Sequence, residues 1–301
     1  MIAMDDIRVE FNGVDLLAQY NIGHVSVDGP QTHIFAASKS IQTASPIYRN
    51  RQILTASMGE PLNFSLTFAP MDGEEWSDEL VNAIYQLFDV KDYKPLRFGG
   101  EEMYYNVLPF SGSVSEMRLF AMNGGYVTIP FQCDAPHGWI DREYHFTRDE
   151  AHAAWVWQVD NPCNVKDALG TYRVYPYIVL KNFDTTSGID SAFVSFGRAS
   201  DIDGAIGDAG WYNLAGIPTT VIGDESREYH LDCYNQQVYS IGSNTVNLLN
   251  YMKDNEGNED LRFFYLEGGH NYIYHRSIIS NEIQYIGYYD IDIYMSCPYM
   301  K

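Results

Sequence analysis

Apolar and polar residues alternate along most of this 301-residue chain. In PLNFSLTFAP, Leu62, Phe64, Leu66 and Phe68 alternate with Asn63, Ser65 and Thr67, the pattern of a strand with one buried face. GGYVTIPFQC puts Val127, Ile129, Phe131 and Cys133 on one face, and Pro130 marks a sheet edge or a bulge. YYDIDIYM sets Tyr289, Ile291 and Ile293 opposite Asp290 and Asp292. One segment has another period. In MDGEEWSDELVNAIYQLFDVKDYK, Trp76, Leu80, Ile84, Leu87 and Phe88 recur at helical spacing. Asp72 offers an N-cap, Glu75 completes a capping box, and Met71 can staple onto Trp76. Glu74, Asp78 and Glu79 lie near the positive end of the dipole, with Lys91 and Lys94 past the negative end. The pattern predicts a helix from about residue 73 to 90, one face against a sheet.

The strand rhythm pauses once. CDAPHGWI closes a strand with Pro136 and Gly138, residues 141–170 are mixed and weakly periodic, and strands resume at YRVYPYIVLKNF. Two β-rich domains are expected, 1–138 with the substantial helix and 139–301 beyond it.

Composition narrows the function. An apolar fraction of 46% can build a core, and 24 tyrosines within an aromatic fraction of 15% favour strands and amphipathic contact surfaces. The formal net charge is −21, which argues against stable nucleic-acid binding through phosphate neutralisation and against docking on an anionic membrane. Such acidity suits a soluble body, or a wall past which a polyanion moves without sticking. Cys133, Cys163, Cys233 and Cys297 form no CxxC pair, so buried free thiols are expected rather than a zinc, redox or disulfide framework. The N-terminus MIAMDDIRVEFNG has no basic-then-apolar signal segment, and no stretch is long enough to span a bilayer. Neither Sec export nor membrane insertion is expected.

The candidate chemistry is thin. FFYLEGGHNYIYH holds Glu267, His270 and His275, which with a distant third ligand could make a zinc site. The two histidines are five apart, however, and would point to opposite faces of one strand, whereas Gly268-Gly269 is a turn signal. The stretch reads as a corner between strands. DIDGAIGD, with Asp201, Asp203 and Asp208, resembles part of a calcium loop but lacks the full ligand spacing, and an acidic surface loop is the plainer reading. There is no GxSxG, HExxH or Walker A motif, and no spacing singles out a carboxylate pair. Neither an enzyme nor a cofactor is expected. Trp155, Trp157, Trp211 and the tyrosines could make a sugar-stacking platform, or serve as core and subunit contacts.

Several phrases, taken in order, resemble the distal tail proteins of long-tailed bacteriophages with non-contractile tails. FNGVDLL is followed by IYRNRQILTASMGEPLNFSLTF, the helix WSDELVNAIYQLFD, KPLRF, the tyrosine strand MYYNVLPFSGSV and GGYVTIPFQCDAPHGW. In the second half, EYHLDCYNQQVYSIG and LRFFYLEGGHNYIYH resemble the paired strands of that family's galectin-like sandwich: Leu-Asp, a turn at Asn235, Val-Tyr, then a Phe-x-Leu-x-x-Gly-x-Asn corner. Residues 141–170 do not match, and KSIQTASP stands where relatives have a glycine-rich hairpin tip. The resemblance implies a mainly β protein, with an N-terminal β-sandwich-like ring-forming domain carrying one α-helix and a C-terminal galectin-like β-sandwich domain. It makes Glu267, Gly268, Gly269 and Asn271 turn residues.

It also implies a structural virion protein of the tail tip, made in the host bacterial cytoplasm. This would be a homo-hexameric hub joining the major tail (tube) protein to a tail-associated tip protein and to receptor-binding or baseplate proteins, with a host cell-surface glycan as a further candidate partner. Six copies would carry about 6 × −21 = −126 formal charges, and those lining a bore would repel passing DNA. Closed cyclic symmetry needs two different, complementary patches on each copy. TASPIYRNRQILTAS, with Tyr48, Arg49 and Arg51, is locally basic, whereas DGEEWSDE is densely acidic, so the two can meet across a subunit boundary. A solvated hairpin face is the alternative for these arginines. For the whole chain the alternative is a carbohydrate-binding or glycan-processing β-sandwich protein.

Overall fold

The computed structural model describes residues 8–25, 39–44, 53–109, 125–148, 154–167, 170–181, 191–199, 212–218, 228–242, 245–248, 252–253, 263, 265–279, 282–283 and 289–300. The protein is mostly β, built from antiparallel sheets. It divides into two compact units, Met1–Ile140 with Tyr299–Lys301, and Asp141–Pro298. The division thus falls after Ile140, and the last three residues return to the first unit.

The first unit holds β1 (Val9–Phe11), β2 (Val14–Asp15), β3 (Ile22–His24), β4 (Lys39–Ala44), β5 (Ile53–Gly59), β6 (Asn63–Pro70), β7 (Lys94–Phe98), β8 (Tyr104–Pro109), β9 (Val127–Cys133) and the start of β10 (Gly138–Arg148). Its sheet runs β2-β1-β7-β8-β9-β6-β3, and β4 pairs with β5 as a separate ribbon. In β6 and β9 the alternation of the sequence is the alternation of burial, with Leu66, Phe68, Val127, Ile129, Phe131 and Cys133 inside. Pro130 lies within β9, opposite Ser65 of β6.

Two helices occur among the described residues, where the sequence pattern led to one. Leu16–Tyr20 is short, capped by the Asp15 carboxylate on Leu17 N and Ala18 N and stopped by Asn21 in a left-handed conformation. The long helix spans Asp78–Phe88, not 73–90. Its cap is Ser77, whose hydroxyl accepts from Leu80 N at 3.1 Å. Asp72 and Gly73 take φ of 57° and 78° and close a turn in which Glu74 N donates to Met71 O, so the expected capping box never forms. Val81, Ile84 and Phe88 are buried, whereas Trp76, Leu80 and Leu87 lie half-buried against the same core. Phe88 sits 4.7 Å from the Phe11 ring and 5.8 Å from the Phe68 ring. Those rings belong to β1 and β6, four ladder steps apart, or roughly 19 Å in a flat sheet. The sheet therefore curls around the helix.

The second unit holds the rest of β10, then β11 (Ala154–Asn161), β12 (Arg173–Val174), β13 (Tyr177–Lys181), β14 (Ser191–Ala199), β15 (Tyr212–Pro218), β16 (Glu228–Asp232), β17 (Gln237–Ile241), β18 (Thr245–Asn247), β19 (Met252–Lys253), β20 (Leu266–Glu267), β21 (Gly269–Ile279), β22 (Glu282–Ile283) and β23 (Tyr289–Tyr299). One sheet is ordered β18-β17-β16-β13-β23-β10, a second β11-β21-β14-β15-β19 with β22 on β21, and β12 pairs with β20 as a ribbon. One core takes Ile178, Leu231, Ile291 and Ile293 from the first sheet, Trp157, Val159 and Ile273 from the second, and Val174 and Leu266 from the ribbon. This is a sandwich whose core the ribbon also joins. Residues 141–170, weakly periodic by eye, contain most of two long strands: Tyr144 and Phe146 of β10 pack on the core, and Trp157, Val159 and Asn161 of β11 are buried. Arg142, a polar side chain in line with Ile140, Tyr144 and Phe146, hid the period of two in β10. All four cysteines are free and buried, and burial pushes the Cys133 and Cys297 thiols up to about 12.

Candidate functional site

The corner read from FFYLEGGHN is built from both of its neighbours. β20 pairs with β12 and β21 with β11, so Gly268-Gly269 joins strands of different sheets and is not the tip of a hairpin. Gly269 has φ of 90°, and a Cβ on Gly268 would lie 2.9 Å from Tyr172 Cβ and 3.0 Å from Cys163 O, so both positions require glycine. The corner is laced by two buried asparagines. Asn271 Nδ2 donates to Glu267 O at 2.7 Å and Gly269 O at 3.0 Å, while its Oδ1 accepts from Glu267 N at 2.9 Å. Asn161 Nδ2 donates to Leu266 O, and its Oδ1 accepts from Cys163 N. These bonds satisfy backbone groups that leave one ladder before entering the next.

His270 stands outside this corner, exposed, with Nδ1 against Asp160 Oδ1 and 3.1 Å from Gln158 Nε2. The bond from His270 holds the Asp160 carboxyl below its usual range. Among the described residues no group of three His, Cys, Asp or Glu side chains could hold a metal ion.

Two polar clusters lie on the face of the β17-β16-β13-β23-β10 sheet that points away from the core. In the first, His230 Nδ1 is 2.6 Å from the Tyr177 hydroxyl, which is 3.0 Å from the Tyr239 hydroxyl. The His230 ring stacks on Tyr239 with centroids 5.0 Å apart. Its Nε2 lies 3.3 Å from Glu228 Oε2 but is not aligned for a hydrogen bond. Burial lowers the His230 pKa, which favours the neutral imidazole, and burial with the Tyr239 bond raises that of Tyr177, which stays a phenol. In the second, Asp292 contacts Lys181 Nζ and lies 2.6 Å from His145 Nδ1, while Thr147 donates to Asp290 at 2.8 Å. Burial alone would raise Asp292, but the bonds from His145 and Lys181 outweigh it and hold it below the carboxylate range. Each partner comes from a neighbouring strand, so both clusters knit the sheet crosswise.

The sequence pattern set Asp292 opposite Ile291 and Ile293 on β23. The structure buries it at 3% exposure because Lys181 and His145 close over it. Tyr177 and His230 also went unread; the alternation of YIVLK and EYHLD, which puts them on the outer face, was the available signal. Trp157 is a core residue stacked 5.0 Å from Phe146, so it cannot serve a sugar platform. Tyr48, Arg49, Arg51, Asp201, Asp203, Asp208 and Trp211 lie outside the described residues.

No family model matches the sequence, and no curated protein matches it. Solved structures do. The SPP1 Dit protein, described as a paradigm of the hub adsorption apparatus in Gram-positive infecting phages, aligns over 98% of this chain and 99% of its own, at TM-score 0.55 and 11% identity. The chain has the Dit fold. Two structures of the phage P2 baseplate in its activated conformation, with calcium and with strontium, align over 92% of this chain and 98% of theirs. Their TM-scores are 0.43 and 0.39, at 7% and 8% identity. The Dit fold accounts for a long run of strands with a single substantial helix among the described residues.

Proposed function

We propose that this chain is a distal tail protein, a structural, non-enzymatic hub at the end of a long non-contractile phage tail. The observation that carries this reading is the end-to-end likeness to SPP1 Dit, both units included, rather than to an isolated sandwich. On this reading six copies form a ring that joins the tail tube to a tip protein and to the receptor-binding or baseplate proteins. The polar clusters fit a load-bearing role, since each ties neighbouring strands together through buried or half-buried bonds.

Two measurements test it. Mass photometry of the purified chain is expected to show a species of six chains of 34.3 kDa each, about 206 kDa. Gold-labelled antibody against the chain is expected at the distal end of intact tails in negative stain. Label along the tube or on the head would overturn the assignment, whatever the mass.

A further inference from the structure

β16 carries an acid and a histidine two residues apart, Glu228 and His230, so both side chains leave the same face of one strand. That strand is internal to its sheet, with β13 on one side and β17 on the other, and each neighbour holds the imidazole. Tyr177 of β13 bonds Nδ1 at 2.6 Å, and Tyr239 of β17, opposite His230 in the ladder, stacks on the ring at an interplanar angle of 9°. The other ring nitrogen, Nε2, is shielded from solvent and has no hydrogen-bond partner, and the His230 side chain is only 8% exposed. Glu228 Oε2 stands 3.3 Å from it, on a side chain that is 45% exposed. Burial lowers the His230 pKa, so near neutral pH the ring is uncharged and the two do not form an ion pair. When Nδ1–H donates to the Tyr177 oxygen and that hydroxyl donates on to Tyr239, 3.0 Å away, Nε2 presents a lone pair beside the carboxylate.

We propose that Glu228 and His230 form a two-ligand site for a divalent transition-metal ion, zinc foremost, with water completing the coordination from the exposed side of Glu228. The spacing fits. Two ligand atoms bound at about 2.0–2.1 Å to a tetrahedral zinc stand about 3.3–3.4 Å apart. Ligands aimed at one shared ion do not aim at each other, which is why a contact of 3.3 Å here is not aligned as a hydrogen bond. The Tyr177 bond to Nδ1 is the outer support that a metal-binding imidazole needs, fixing its tautomer and orientation. An imidazole nitrogen in the pair selects zinc-like ions over calcium or magnesium, which prefer oxygen throughout. Lys181 lies one ladder step beyond the Leu180↔Tyr229 pair, but its ammonium is turned the other way, to Asp292 of β23. With two protein ligands instead of three or four, the site holds its ion reversibly and is not a structural centre. The inference does not depend on the tail-hub reading.

The test uses the full chain, stripped with EDTA, and zinc chloride alone, followed by isothermal titration calorimetry. Saturable binding of one zinc per chain is expected. Glu228→Gln, which keeps the shape of the side chain and removes its charge, should weaken it at least tenfold while leaving the metal-free melting temperature unchanged. Tyr177→Phe, which removes the partner of Nδ1, should weaken it about tenfold. Zinc should raise the melting temperature of the wild-type chain and not that of Glu228→Gln. Cobalt(II) in its place should show the visible bands of a four-coordinate ion, again lost in Glu228→Gln. Zinc binding that Glu228→Gln leaves intact, or none at millimolar zinc, overturns the proposal. So does binding that disappears with His270→Ala, which would place the ion at the exposed His270–Asp160 pair. Displacement of zinc by equimolar calcium would make the ligand set an oxygen-only acidic surface and overturn it equally.

Discussion

Asp292 shows how one side chain can invert the meaning of a pattern. It occupies a polar position of β23, yet burial makes its charge tolerable only through Lys181 and His145. Its folded pKa is depressed, so it stabilises the fold above the unfolded value of about 3.9 and loses that contribution as pH falls through the folded value. Lys181 behaves oppositely: its bond to Asp292 raises its pKa, so its contribution is complete below its ordinary value and lost only in strong alkali. Asp292→Asn should therefore cost about 1–3 kcal/mol at neutral pH. In thermal melts recorded from pH 7 downward, the gap from wild type should close below about pH 4. A gap that stays constant through this range would show that the carboxylate charge is not what the substitution removes.

At the scale of elements, the long helix offers the sharpest test. Its buried stripe is Val81, Ile84 and Phe88, so Ile84→Ala should cost about 2–5 kcal/mol. Leu80→Ala, at a half-buried flank, should cost clearly less. Urea unfolding of the full chain, followed by a probe in the first unit, separates the two; equal costs would mean the helix is rotated from this register. The contrast also marks what was legible beforehand. β6 and β9 could be read because each has one wet face and one dry face, which imprints a period of two. The helix could be read as a helix, but its start could not, because Asp72 and Ser77 are both good caps and only the Asp72-Gly73 turn decides between them. β10 and β11 were hidden because polar and aromatic side chains share their faces. The Glu267–Asn271 corner was visible through its glycines, whereas the roles of Asn161 and Asn271 were not, since they depend on strands distant in sequence.

For the whole molecule, charge bears on the ring proposed above. A chain of −21 that gathers into a ring must overcome its own repulsion, and the basic stretch with Tyr48, Arg49 and Arg51 is the proposed means, reaching the acidic approach to the neighbour's helix. Arg49→Glu with Arg51→Glu should leave the chain folded by circular dichroism but shift it off the six-chain mass, and the wild-type ring should loosen with salt. A double variant that keeps the full mass at every salt concentration would place the contact elsewhere. The buried cysteines bear on a different property, durability. A thiol with a pKa of about 12 is ionised at pH 7 in about one molecule in 10⁵, and the thiolate is the form that oxidants attack. On the tail role proposed above, the chain would wait for a host in aerated water, outside any reducing interior. With these thiols sealed, the protein should resist cross-linking through sulfur during such a wait, and oxidation should begin instead at an exposed thioether such as Met300.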